Sequence, residues 1–273
     1  MIAERTRVSE AWLDLREPAD AAARDPELAE ILRQQLPSAG CLVIHDLGCG
    51  TGSMGRWLAP LLSGLQHWVL HDRDEDLLDA AVAEPPGSAA DGASVSVETR
   101  ASDVALLLPG DLADASLVTA SALLDLLTRD ELDRLIDACT KADCPVFLSL
   151  SVVGHVDLVP ADPLDSRVSA AFDAHQCRKT ERGRLLGPDA VAAAVEGFRR
   201  RGVRVLLRPT PWRLGGSEAD LAAEWFTGWI GAACEQSVEL ASETGSYARR
   251  RVAEARAGDL AVTVGHADLL VLP

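Results

Sequence analysis

The chain has 273 residues, of which 48% are hydrophobic and 25% are charged, so it can bury a full core as one large domain or one domain with a sizeable insertion. Its formal net charge of −16 argues against nucleic acid or an anionic membrane as a partner, because phosphate binding needs a concentrated basic surface. No stretch approaches the roughly 20 uninterrupted apolar residues that a membrane span requires.

The predicted elements begin with two short helices in the amphipathic, polar-rich segment 8–36, and we assign residues 1–40 to an N-terminal helical cap. From Cys41 onward, short apolar runs alternate with helical stretches, which is typical of a parallel sheet with crossover helices. The predicted strands span 41–47, 67–71, 94–99, 116–120, 146–152, 203–208 and 267–272.

Helices are predicted over 54–62, 75–82 and 190–200. Another helix is predicted after the fourth strand, where Thr128 and Glu131 have the spacing of a capping box. Two segments interrupt the alternation at about 153–187 and 209–259, and the second of them indicates a helical insertion. The sequence therefore predicts one α/β domain over 41–273 with two insertions.

A buried strand ends in an acid and a glycine-rich turn over 46–52, just before a predicted helix. Glycine lets the backbone turn tightly and approach a ligand without a Cβ in the way. Such a turn also occurs in dinucleotide dehydrogenases, but a G-x-G-x-x-G pattern starting at Gly48 would need glycine where Ser53 stands. The carboxylate of Asp46 would also repel a pyrophosphate, whereas it suits S-adenosylmethionine, which carries an amine and a sulfonium and no phosphate. We expect that cofactor to contact Asp46, Gly48, Cys49, Gly50 and Gly52.

Two further acids follow the second and third predicted strands. Asp72 lies about 20 residues beyond the glycines, the separation that places a carboxylate on a ribose diol. Asp103 can accept a hydrogen bond from an adenine amino group while Val104 packs on the ring. We therefore expect Asp72, its neighbour Arg73, Asp103 and Val104 to contribute to the cofactor site.

The run 46–52 resembles motif I of the class I S-adenosylmethionine-dependent methyltransferases. Asp72 is similar to the acid that follows strand two in that family, and Asp103 to its adenine-side acid. The run 118–125 resembles the family's fourth-strand motif, whose residues pass beside the methionine moiety, which implies Ser121 as a cofactor contact. The resemblance covers about 41–151.

This resemblance implies a Rossmann-like α/β fold and methyltransferase activity. The expected sheet has seven strands, mostly parallel, with the last strand antiparallel and helices on both faces. S-adenosylhomocysteine would be the product of the cofactor. The resemblance implies no particular methyl acceptor, because this fold hosts many.

Ligands of an open α/β sheet bind outside the carboxyl ends of its parallel strands, so the two insertions and the N-terminal helices are candidates for a lid and an acceptor pocket. We expect His155 just past the end of the fifth strand, where it can act as general base on a hydroxyl with Asp157 orienting it. A loop histidine without chemistry is an equally good interpretation. His175 is the second choice for the base, although a place on a helix surface is the more common one.

Two tryptophans in the second insertion, Trp225 and Trp229, are the predicted substrate-binding residues. Their helical spacing is more often that of a packing stripe than of an acceptor-stacking surface. In the N-terminal helices, Arg16 or Arg24 can pair with the cofactor carboxylate, and we assign Arg16 to the cofactor site, although a solvated helix face is the ordinary interpretation.

The leading functional hypothesis is methyl transfer to a small polar metabolite, with a hydroxyl as the methylated group. An RNA methyltransferase is a poorer alternative because of the negative charge, and a cofactor-binding protein without transferase activity is another. The six cysteines are scattered with no CxxC pair, so we expect neither a metal site nor disulfides. With no secretory signal at its start, we expect a soluble, cytoplasmic protein. The acceptor, the methylated atom and the oligomeric state are not predicted.

Overall fold

The computed structural model describes residues 8–273. Two helices precede the sheet, α1 (Glu10–Ala23) and α2 (Pro26–Gln35). The side chain of Ser9 accepts from the Trp12 amide at the start of α1, and that of Asp25 accepts from the Leu28 amide at the start of α2. Both predicted N-terminal helices are therefore present, each with its own cap.

Eight strands form the central sheet, and two more form a separate hairpin. In chain order the strands are β1 (Cys41–Leu47), β2 (Leu65–Asp72), β3 (Val95–Ala101), β4 (Leu117–Ser121), β5 (Val146–Val159), β6 (Lys179–Thr180), β7 (Gly183–Arg184), β8 (Arg204–Pro209), β9 (Trp212–Leu214) and β10 (Ala261–Leu272). The sheet order is β3-β2-β1-β4-β5-β10-β8, with β9 also paired to β10. The hairpin consists of β6 and β7.

The first five strands are parallel, and β10 runs antiparallel to each of its three neighbours. This arrangement confirms the expected mostly parallel sheet with an antiparallel last strand. The additional strand β9 arises because the chain doubles back after β8 and pairs with the first half of β10.

Eight further helices surround the sheet. They are α3 (Ser53–Leu58), α4 (Glu75–Ala83), α5 (Arg129–Lys141), α6 (Asp165–Gln176), α7 (Ala190–Arg200), α8 (Ala219–Gln236), α9 (Val238–Glu243) and α10 (Gly245–Ala257). The predicted capping box opens α5, where Thr128 Oγ1 accepts from the Glu131 amide and Glu131 Oε2 accepts from the Thr128 amide. Within the described range 8–273, no helix has both the length and the hydropathy of a membrane span.

Three apolar clusters hold these layers together. One cluster joins the sheet to α5 and α7 through residues such as Ile136 and Phe198. A second lies on the other face and packs α2, α3 and α4 around Trp68. The third packs α8 and α10 against the outer halves of β5 and β10, around Phe226 and Tyr247. The sheet is therefore covered on both faces, as the alternating sequence pattern predicts.

The fifth and last strands are longer than predicted, and this corrects two boundaries. We expected β5 to end at residue 152 and β10 to begin at residue 267, but they continue to Val159 and back to Ala261. The two extensions pair with each other, with Ala261 opposite Val159. Along the extension of β5, Leu158 is buried towards α8 while His155 and Asp157 are exposed. This alternation of apolar and polar residues is typical of a half-exposed strand. From the sequence we had expected a polar loop here.

Candidate functional site

A cavity lies at the carboxyl ends of β1 and β4, beneath helix α1. This is the edge where ligands of open α/β sheets bind. Six of the predicted cofactor residues line it: Arg16, Asp46, Gly48, Cys49, Gly50 and Ser121. Leu13 and Asp20 of α1 complete the wall opposite the glycine turn. Residues from three separate parts of the sequence therefore lie around one cavity, whereas the predicted Gly52, Asp72, Arg73, Asp103 and Val104 are not among its lining residues.

The turn between β1 and α3 depends on its glycines. Gly48, Gly50 and Gly52 have φ values of +66°, +54° and +85°, in the left-handed region that glycine adopts without steric cost. A Cβ added at Gly50 would lie 3.0 Å from Leu13 Cδ1, so α1 packs directly on the turn. The turn therefore exposes backbone without side chains to the cavity, and α1 covers the turn.

Asp46 is a buried carboxylate with only one of its two oxygens hydrogen-bonded. Its Oδ1 accepts from Thr119 Oγ1 at 2.7 Å, whereas its Oδ2 has no partner among the described residues. Burial raises the pKa of Asp46 to about 6. A buried acceptor of this kind fits a ligand that brings a cationic hydrogen-bond donor, such as an amine.

Asp72 connects the end of β2 to the glycine turn. Its Oδ2 accepts from the Gly50 amide at 2.9 Å and its Oδ1 from the Asp74 amide at 3.0 Å. Each carboxylate oxygen can accept a second hydrogen bond, so the side chain can also bind a ligand hydroxyl. Its neighbour Arg73 is exposed.

The predicted adenine-side residues follow β3 in a short 3-10 turn, Val104–Leu106. Asp103 caps this turn by accepting from the Ala105 amide at 3.0 Å. Val104 is buried in the apolar cluster that joins the sheet to α5 and α7. Arg182, in the loop between β6 and β7, lies 4.0 Å from Asp103 Oδ1, so the first insertion reaches this end of the site.

Arg16 lines the cavity, but its charge is already paired. Its Nε and Nη2 donate to the two carboxylate oxygens of Asp20 at 2.9 and 3.1 Å. Asp20 Oδ1 also accepts from Trp212 Nε1 at 3.0 Å, which ties α1 to β9. Sequence analysis missed Leu13 and Asp20, although both share one helical face with Arg16 and Arg24 at spacings of three and four residues.

The predicted catalytic histidines do not line the cavity. His155 lies inside β5 rather than after its end, because that strand continues in its pairing with β10. Its side chain is 62% exposed, with Nε2 2.8 Å from Asp157 Oδ2. His175 lies in the last turn of α6, with Nε2 3.1 Å from Glu235 Oε2.

The two predicted substrate-binding tryptophans belong to a packing stripe on α8. Their rings stack with centroids 5.4 Å apart, and Trp229 also contacts Phe226 at 5.6 Å between centroids. Trp229 is buried in the cluster around Tyr247, and Trp225 is half-buried beside it. Neither lines the cavity.

A chain of hydrogen bonds through two buried histidines runs across β1 and β2. His45 Nε2 lies 3.1 Å from Asp114 Oδ1, His45 Nδ1 lies 3.0 Å from His71 Nε2, and His71 Nδ1 lies 3.1 Å from Ser102 Oγ. Burial lowers the pKa of both histidines, that of His71 to about 4. With both rings neutral, the Ser102 hydroxyl can start the chain as donor and the Asp114 carboxylate can end it as acceptor.

This chain predicts that the protein loses stability below neutral pH. The folded-state pKa of His71 lies below the ordinary value of about 6.5, so the unfolded state takes up a proton first as the pH falls. Between about pH 7.5 and pH 5.5 this uptake is expected to lower the free energy of unfolding by about 1–1.5 kcal/mol more in the native protein than in His71→Asn. Urea denaturation at both pH values measures the difference. Equal losses in the two proteins would contradict the assignment.

The fold of the chain is similar to that of solved structures. A cyclopropane-fatty-acyl-phospholipid synthase-like protein from Lactobacillus casei is 14% identical, with a TM-score of 0.54 over 97% of this chain and 98% of that chain. A mycolic acid cyclopropane synthase in complex with SAH (S-adenosylhomocysteine) and CTAB is 14% identical, with a TM-score of 0.51 over 95% of this chain and 94% of that chain. No family model and no curated protein sequence matches. At this level of identity the likeness shows the fold alone.

Proposed function

We propose that the chain binds S-adenosylmethionine and transfers its methyl group to a small polar metabolite, with a hydroxyl as the nucleophile. The observation that carries the proposal is the half-satisfied carboxylate of Asp46 beside a turn of three glycines in the cavity. This combination suits a ligand with an amine and opposes a pyrophosphate. The fold shared with the two synthases supports the same class of ligand.

Asp46 lines the cavity, and Asp72 and Asp103 lie at the carboxyl ends of the neighbouring strands β2 and β3, an arrangement that suits the cofactor. Asp46 Oδ2 would accept from its amine, Asp72 would hold the ribose diol, and Asp103 with Val104 would meet the adenine. When bound, S-adenosylmethionine supplies a methyl carbon made electrophilic by the sulfonium. The chain's own contribution is to position the two reactants and to keep the buried end of the site dry, because α1 covers the turn.

A hydroxyl nucleophile needs a proton acceptor. We propose His155, whose Nε2 pairs with Asp157, with His175 as the second choice. Neither histidine lines the cavity, so an acceptor must extend from the cavity to the outer half of β5 for His155 to act. Asp125 competes for the role, since it follows cavity-lining Ala122 by three residues and burial raises its pKa to about 6. Substitution of the true base lowers turnover while affinity for S-adenosylhomocysteine stays unchanged.

Binding is the first test of the proposal. We expect calorimetric titration to show that S-adenosylhomocysteine binds and that NAD does not, because the carboxylate of Asp46 stands where a dinucleotide would place its phosphates. Binding of NAD without any response to S-adenosylhomocysteine would overturn the proposed function.

A protein that binds the cofactor without transferring its methyl group is the second candidate. It is favoured by the absence of histidine from the residues that line the cavity within 8–273. Incubation with methyl-labelled S-adenosylmethionine and pools of small hydroxyl compounds distinguishes the two, because only a transferase moves the label.

A further inference from the structure

We propose that Arg24 binds the carboxylate at the amino-acid end of the cofactor. The inference rests on the proposed function, because it requires a ligand that has such an end. It replaces Arg16, the arginine that the sequence analysis assigned to the cofactor, by the second arginine on the same helical face.

Arg24 is a buried cation with unused donors. It follows the last residue of α1 and is 2% exposed. Its Nη2 donates to Ser53 Oγ at 3.3 Å and to Ser121 Oγ at 3.2 Å, whereas Nε and Nη1 have no partner in the described part of the chain. Both serines line the cavity. Leaving the donors of a buried guanidinium unpaired is costly, which points to an anionic ligand beside them.

The acids nearest to Arg24 are directed elsewhere. Asp20, Asp268 and Asp46 interact with its charge, but each has closer partners. Asp20 binds Arg16 and Trp212. Asp268 accepts from the amides of Asp25 and Leu150 and from the Thr210 hydroxyl, and Asp46 accepts from Thr119. These acids therefore balance the charge of Arg24 but accept no hydrogen bond from its Nε or Nη1.

The guanidinium is held in place before any ligand arrives. Its central carbon lies 5.4 Å from the centroid of the Trp57 ring, a cation–π contact. Together with the two serines, this ring fixes the orientation of the planar guanidinium group. A fixed fork suits the two oxygens of a carboxylate, since less side-chain freedom is lost on binding.

An α-amino acid matches both sides of the cavity. Arg24 offers unpaired donors at the side of Ser53 and Ser121, and cavity-lining Asp46 offers an unpaired acceptor in Oδ2. One positive and one negative group on the ligand satisfy both. A phosphate would carry more negative charge towards Asp20 and Asp46, which line the same space. Arg16 does not fit this role, because its Nε and Nη2 already donate to the carboxylate of Asp20.

Two ligands that differ at the amino-acid end test the assignment. S-adenosylhomocysteine carries the carboxylate, whereas 5′-methylthioadenosine has the same nucleoside thioether without the amino acid. In Arg24→Met we expect the affinity for S-adenosylhomocysteine to fall roughly tenfold or more, the effect of a lost charge-assisted hydrogen bond. The affinity for 5′-methylthioadenosine should change by less than about twofold. Arg33→Met, at an exposed arginine of α2 paired with Glu30, is the matched control and should alter neither affinity.

The outcomes separate this assignment from the proposed function. Equal losses for both ligands, or no loss for either, would overturn the role of Arg24 while leaving the proposed function in place. If the native protein binds neither ligand, both proposals fail. Urea denaturation shows whether Arg24→Met is folded; if it is not, Arg24→Lys, which keeps the charge and loses the fork, is titrated instead and should show the same selective loss for S-adenosylhomocysteine.

Discussion

Replacing Arg251 by Met is expected to lower the free energy of unfolding by about 3–4 kcal/mol, the cost of breaking a buried ion pair from one side. Arg251 lies on α10 and is 2% exposed. Its Nη2 donates to both carboxylate oxygens of Asp165 at 3.1 and 2.9 Å, and its Nη1 donates to the Pro160 carbonyl at 2.7 Å. Tyr247 also donates to Asp165, at 2.6 Å. The substitution leaves the Asp165 carboxylate without its cation and the Pro160 carbonyl without its donor.

The neighbouring residue supplies the control for this experiment. Arg250 lies on the exposed side of the same helix, where it pairs with Asp162 and Glu254. Because exposed pairs contribute little, Arg250→Met should cost less than about 1 kcal/mol. Urea denaturation followed by circular dichroism measures both variants. A neutral Arg251→Met, or equal losses at the two positions, would show that the buried network does not hold α10 to the start of α6.

Asp72→Ala is expected to weaken the binding of S-adenosylhomocysteine by about 2–3 kcal/mol, roughly 30- to 160-fold. The side chain would lose its hydrogen bonds to the ribose, and it would also release the Gly50 amide that it holds at 2.9 Å. The turn itself therefore loses a constraint together with the ligand contact. Calorimetric titration gives the affinity, and circular dichroism shows whether the variant is folded.

Two further substitutions sharpen the test of Asp72. Asp72→Asn keeps an acceptor in the same place without the charge, so it should show an intermediate loss. Asp79→Ala removes an exposed acid of α4 and should leave the affinity unchanged. If Asp72→Ala binds S-adenosylhomocysteine as tightly as the native protein, another side chain holds the ribose.

The core of the fold and the glycine turn could be predicted from the sequence, because patterns of neighbouring residues specify them. Residues 41–44 at the start of β1 are a continuous apolar run, and each glycine of the turn stands where the backbone φ is positive. The capping box at Thr128 is equally local. These features depend on residues within a few positions of one another, so the predictions for them are confirmed.

The contacts of α1 could not be predicted from the sequence in the same way. Whether Arg16 or Arg24 has unpaired donors depends on which of them pairs with Asp20, four residues from each, and on Ser121 and Trp212, which are distant in the sequence from both. A helical pattern places both arginines on one face but does not show which acid pairs with which cation. Pairing of this kind is a property of tertiary packing.

The outer halves of β5 and β10 were missed for a different reason. Residues 152–159 alternate between half-buried and exposed positions, with Leu158 alone fully buried, and their polar members favoured a loop. The alternation has strand character only because β10 pairs with it along its whole length. His155 was therefore expected at a strand end, whereas it lies within the paired ribbon.

The position of β10 has a consequence for how the chain assembles during synthesis. It is the last strand in chain order, yet it lies between β5 and β8. A growing chain on the ribosome can pair β1 to β5 as they emerge, but β8 and β9 have no partner strand until residues 261–272 have been made. The ribosome would therefore hold a half-built sheet with an open edge at β5, where pairing with another chain competes with completion. Truncation before residue 261 would make that exposed edge permanent.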